Sequence, residues 1–90
     1  MFGYNMKTLR GFGDLFRELR IKNRYTLRAY CRKFNYDPVY ISELEKGRIS
    51  PPKNRDAIEN HARSLNLSEG SRQWAEFCNL AVEGRGKMSV

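Results

Sequence analysis

The side chains whose type and spacing could do chemistry here are the cations. Of 17 Lys and Arg, ten lie between residues 20 and 55, beside only three acids, Asp37, Glu43 and Glu45. The rest of the chain carries seven of each sign, so the whole formal charge of +7 belongs to that middle segment. A neutral frame around one cationic stretch implies a polyanionic partner. Duplex phosphates suit it, because each phosphate neutralised by a cation releases condensed counterions. Enzymatic chemistry is not in the pattern. His61 is the only histidine and is expected on a helix surface; Cys31 and Cys78 stand far apart, without CxxC or Cys/His ligand spacing. There is no glycine-rich phosphate loop and no nucleophile–base spacing. The reading is a non-enzyme with no cofactor and no metal.

Something must position those cations. Ninety residues make one domain, and 40% hydrophobic with 12% aromatic content is too apolar for a disordered chain. No apolar run approaches the ~18 residues of a membrane span, and Met1 to Arg10 lacks a signal-peptide core. Cysteines on apolar helix faces read as buried thiols, which fits a cytoplasmic, reducing location.

Apolar residues recur at helical spacing five times. The sets are Phe12, Leu15, Phe16 and Leu19; Leu27, Tyr30, Cys31 and Phe34; Val39, Ile41 and Leu44; Ile58, Ala62 and Leu65; and Trp74, Phe77, Cys78 and Ala81. No segment alternates as a strand would. Thr26 is placed to cap the second helix, and Asn35-Tyr36 to turn the chain. Asp37 caps the third helix, with Pro38 at its first position, where a missing N–H costs nothing. Gly47 ends that helix and Pro51-Pro52 stops any continuation. Asn54 caps the fourth, and Ser68 or Ser71 opens the fifth. The domain is expected to span residues 9–83, with a flexible arm at 1–8 and a frayed tail at 84–90, where glycines recur.

Residues 12 to 51 resemble the Cro/CI-type (XRE-like) helix-turn-helix of phage repressors, antitoxins and restriction-modification controllers. Leu19-Arg20, Thr26-Leu27-Arg28, and Ile41-Ser42-Glu43-Leu44-Glu45-Lys46-Gly47 with Pro51-Pro52 carry the resemblance, without insertion from Thr26 to Gly47. It implies an all-α, compact five-helix bundle, lambda-repressor-like, with the helix-turn-helix at helices two and three. It further implies a sequence-specific, DNA-binding transcriptional regulator of phage or prokaryotic type, most simply a homodimeric repressor that puts helix three into the major groove of an operator. The alternative is an antitoxin or other protein-binding module that neutralises a partner through helix five or the tail.

The resemblance also assigns roles. Arg20 and Glu45 are expected to form a structural ion pair, either buried and holding the first helix to the third, or exposed and nearly neutral. Base readout falls on Pro38, Val39, Tyr40 and Glu43. This departs from the glutamines and serines common in the family, leaving Val39 to meet a thymine methyl and Glu43 a cytosine amine. Phosphate contacts fall on Arg24, Thr26, Arg28, Ser42, Lys46, Arg48 and Lys53. Arg32 and Lys33 read as solvated surface. Leu27 stands where many members carry a phosphate-gripping glutamine. Trp74, Phe77, Leu80 and Ala81 make helix five apolar for a terminal element, either as core or as a dimer or partner surface.

Overall fold

The computed structural model describes residues 11–89, with side chains through Gly84. The expected arm at 1–8 lies outside the described residues. Five helices follow in order: α1 (Phe12–Lys22), α2 (Leu27–Phe34), α3 (Pro38–Glu45), α4 (Arg55–Ser64) and α5 (Arg72–Ser89). The fold is all-α. α1 lies against α3 and α5, α2 against α3, and α4 against α5.

Four of the five helices, α2 to α5, start where a side chain can satisfy an amide that the helix leaves unpaired. Thr26 Oγ1 accepts from Ala29 N at 3.1 Å, Asp37 Oδ1 from Val39 N at 3.0 Å, Asn54 Oδ1 from Ala57 N at 3.1 Å and Ser71 Oγ from Trp74 N at 3.1 Å. Of the two serines proposed for α5, Ser71 is therefore the cap. The helix ends share a device as well. α1 to α4 are each followed by a residue in the left-handed region: Arg24 (φ 65°), Asn35 (φ 64°), Gly47 (φ 75°) and Asn66 (φ 66°). In each case the next amide reaches back into the last turn: Tyr25 N to Arg20 O, Tyr36 N to Cys31 O, Arg48 N to Glu43 O and Leu67 N to Ala62 O. Such closures satisfy orphan carbonyls and turn the chain sharply. At Arg24 the conformation lacks glycine's freedom.

The core is aromatic and centred on Phe16, which is fully buried. Its ring meets Tyr30 edge-on at 5.5 Å, His61 edge-on at 5.2 Å and Phe77 at 6.3 Å. His61 is buried too, at 2% exposure, which corrects the expectation of a surface histidine. Its ring lies 4.7 Å from that of Tyr36 and faces Tyr40 at 6.5 Å. It sits one turn after Ile58 and beside Ala62, on the apolar face of α4, so a neutral imidazole does the work of a flat aromatic ring there. Tyr30 donates its hydroxyl hydrogen to Ser64 Oγ, since Ser64 in turn donates to His61 O at 2.7 Å. That satisfies the polar end of a ring that is otherwise in hydrocarbon.

α5 continues past residue 83, where two nearby glycines predicted its end. Gly84 explains part of this: a Cβ there would come within 2.8 Å of Pro51 Cγ. The glycine lets the helix press against the proline link rather than ending it. Gly13 is tighter still. A Cβ at Gly13 would fall 2.5 Å from the carbonyl oxygen of Glu45 and against that of Leu44. α1 and the end of α3 thus touch backbone to backbone.

Two stability predictions follow from the packing. Gly13→Ala is expected to cost about 1–3 kcal/mol by overpacking, read as an earlier thermal melt. Burial lowers the His61 pKa from its ordinary 6.5 to about 4. Between those values the unfolded chain takes up a proton that the folded chain refuses. The His61 contribution is therefore intact above pH 6.5, is lost progressively as pH falls, and levels off below 4. The loss amounts to about 3 kcal/mol. Urea melts from pH 7 to pH 4 measure it, and His61→Phe should remove that part of the slope.

Candidate nucleic-acid interface

The interface is built around α3, which has two unlike sides. Ile41 and Leu44 are fully buried, and Glu45 is 8% exposed. Val39, Ser42, Glu43 and Lys46 share the opposite side, at spacings of three, four and seven residues. Val39 is 68% exposed, Lys46 is exposed, and Ser42 and Glu43 are half-buried. Pro38 is exposed at the first turn, next to the Asp37 cap.

The inward side is fixed by charge as well as by packing. Arg20 Nε donates to Glu45 Oε2 at 2.7 Å, and its Nη2 donates to Oε1 at 2.9 Å. Arg20 Nη1 donates to Tyr25 O at 2.8 Å, so one guanidinium joins α1, the α1–α2 turn and α3. Both charged side chains are buried. The hydrogen bond to Glu45 holds Arg20 charged, above its ordinary pKa, against the opposing effect of burial. The paired N–H···O bonds fit the flat fork of arginine, which lysine could not reproduce.

The other proposed base reader, Tyr40, is not on the outward side. It is half-buried with its ring against His61, and burial raises its hydroxyl pKa. It sits on the flank of α3: one residue beyond Val39, the helix has turned about 100° toward the core. Glu43 is not a lone carboxylate. Its Oε2 is 3.5 Å from Arg48 Nη1.

The cations surround this side from two directions. Lys46, Arg48 and Lys53 are exposed after α3. From α2, Arg28 and Arg32 line a depression with Asn35 and Pro38, where α2 meets the start of α3. Arg32 was read as plain surface; its position one turn from Arg28 on a helix is the signal that would have grouped the two. Thr26 is exposed, with its oxygen used as the α2 cap, and Arg24 is exposed in the α1–α2 turn. Leu27 packs against the core, which accounts for an apolar residue at a position that elsewhere grips phosphate.

The proposed partner surface on α5 is largely consumed by the chain's own core. Trp74, Phe77 and Ala81 are buried, at 6%, 0% and 0% exposure, and Phe77 packs on Phe12 with ring centroids 4.8 Å apart. Leu80 is half-buried against the core, and Val82 is 54% exposed. Of the two readings left open for these residues, core describes most of them: the apolar stripe of α5 packs against both α1 and α4, so it is wide without being spare. Among the described residues no group of His, Cys, Asp and Glu could hold a metal ion, and no helix is long and apolar enough to cross a membrane.

Removing one member of the buried ion pair should be severe. Glu45→Ala is expected to destabilise by about 3–5 kcal/mol, because Arg20 would be left charged and unpaired. Replacing both with apolar residues, Arg20→Met with Glu45→Leu, should cost less than the single change. Thermal and denaturant melts of the two variants against the wild type distinguish this from a surface pair.

No curated protein and no solved structure gave a match to the chain. The helix-turn-helix domain family matches residues 12–75, from the start of α1 into α5. That is well over half of the 90 residues. With α2 and α3 packed as the two members of the motif and cations on its outer side, the chain belongs to the helix-turn-helix domain family, of the Cro/XRE type, whose fold implies DNA binding.

Proposed function

We propose that this protein is a sequence-specific transcriptional regulator, a homodimeric repressor that seats α3 in the major groove of its operator. The observation that carries the reading is the two-sidedness of α3: an inward side clamped by Arg20 and Gly13, and an outward side left open between two groups of cations. In this mode the first residues of the recognition helix meet base edges. Val39 presents two methyl groups suited to a thymine methyl, with Pro38 beside it. Arg28, Arg32, Lys46 and Lys53 lie where phosphates on either wall of the groove would run, helped by Thr26, Ser42 and Arg24. These contacts set register and affinity rather than sequence. Repression would be by occlusion, and the setting would be a prokaryotic or phage-infected cytoplasm.

A single module offers few base contacts, so a dimer on two half-sites about one helical turn (~34 Å) apart is the economical arrangement. Its surface must be drawn from what the core leaves over, such as Val82. The reading of α5 as a docking face for a toxin or other protein loses support for the same reason.

Binding to a short duplex, followed by fluorescence anisotropy, tests this. Affinity should fall steeply between 50 and 200 mM salt, in proportion to the number of phosphates contacted. An affinity indifferent to salt would exclude the reading. Lys46→Ala should weaken binding to all sequences alike and reduce the slope of log K against log salt by about one. Selection from a random pool should return a site with two-fold symmetry.

A further inference from the structure

The α3 C-terminus makes a turn that brings a cation back onto the outward side. Gly47 takes the left-handed conformation, φ 75°, and Arg48 N donates to Glu43 O at 3.0 Å. That closure places the Arg48 guanidinium by the Glu43 carboxylate, Nη1 to Oε2, at 3.5 Å. Arg48 keeps most of its side chain in solvent, at 65% exposure, while Glu43 is at 32%. A bare carboxylate on this side would repel the phosphates that the neighbouring cations attract. With Arg48 beside it that repulsion is offset, and the guanidinium, contacted at Nη1, keeps most of its surface in solvent. Arg presents five donors in a fixed fork, and a guanine offers O6 and N7 as adjacent acceptors in the major groove.

We propose that Arg48 reads a guanine in the operator and that Glu43 is its positioning residue, not an independent reader of cytosine. The pair acts as one unit built by the Gly47 turn. This moves Arg48 from the phosphate contacts to the base contacts, and it rests on α3 occupying the major groove.

The test is site selection from a random duplex pool, with each variant checked for an unchanged melting temperature. Wild type should select a guanine at one position in each half-site. Arg48→Ala should erase that preference, a loss of roughly tenfold to hundredfold in discrimination. Arg48→Lys keeps the charge without the fork; it should retain most non-specific binding and lose the guanine. Glu43→Gln should relax the same position, and the double variant should look like Arg48→Ala alone. If Arg48→Ala weakens all sequences equally and leaves the selected site unchanged, Arg48 is a phosphate contact and the inference is overturned. If Glu43→Gln leaves the guanine preference intact, the positioning role is overturned. A wild-type protein that selects no sequence would instead refute the major-groove reading beneath it.

Discussion

The attachment of α3 to α1 is the constraint on which the rest depends. α3 has eight residues, too few to persist as a helix without tertiary support. Two contacts supply that support at the same point. Gly13 lets the backbone of α1 touch the carbonyls of Leu44 and Glu45, and Arg20 closes on the Glu45 carboxylate. The first requires the absence of a side chain and the second the presence of a long, charged one. Together they fix distance and rotation. A buried ion pair is a poor source of net stability, because desolvating two charges offsets most of their attraction. It does make misplacement costly: any rotation of α3 that separates the partners leaves two buried charges unpaired. Rotation is what would turn Val39 and Glu43 away from a groove.

The aromatic core performs a related task from the other flank. His61 on α4 touches Phe16 of α1, Tyr36 of the α2–α3 turn and Tyr40 of α3. Flat rings packed at edge and face orientations leave few alternative arrangements of similar energy. The turn between α2 and α3 is therefore held by rings as well as by its own closure at Asn35 and cap at Asp37. The histidine is the vulnerable member, since it can be charged and its neighbours cannot use the charge. The same side chain that completes the core ties its integrity to pH.

Charge is divided along functional lines. The carboxylates nearest the outward side are each occupied: Glu45 by Arg20, Glu43 by Arg48, and Asp37 by the amide of Val39. Among the described residues, Arg28, Arg32 and Lys46 meet no carboxylate. The chain thereby keeps acids where geometry needs them without presenting a repulsive field to a polyanion.

Much of this was legible in the residues alone. Helix starts could be read because a cap is a local event: Thr26, Asp37, Asn54 and Ser71 need only the next turn to act. Asn35 and Gly47 announced turns for the same reason. The cationic stretch and the Arg20–Glu45 pairing followed from counting and from resemblance. What the sequence could not carry was which side of a helix meets which neighbour when several sides are apolar. His61 looked like surface because its polarity is local and its burial is not. Trp74, Phe77 and Ala81 could be read as core or as spare surface, because the gap they fill exists only once α1 and α4 are in place. Gly13 looked unremarkable because the carbonyls it admits belong to residues more than thirty positions away. The contact between Arg48 and Glu43 was not legible because the turn at Gly47 had to be folded before the two met. Local hydrogen bonding and periodicity thus determined the elements, while close packing between distant segments decided which faces are core and which remain open to a partner.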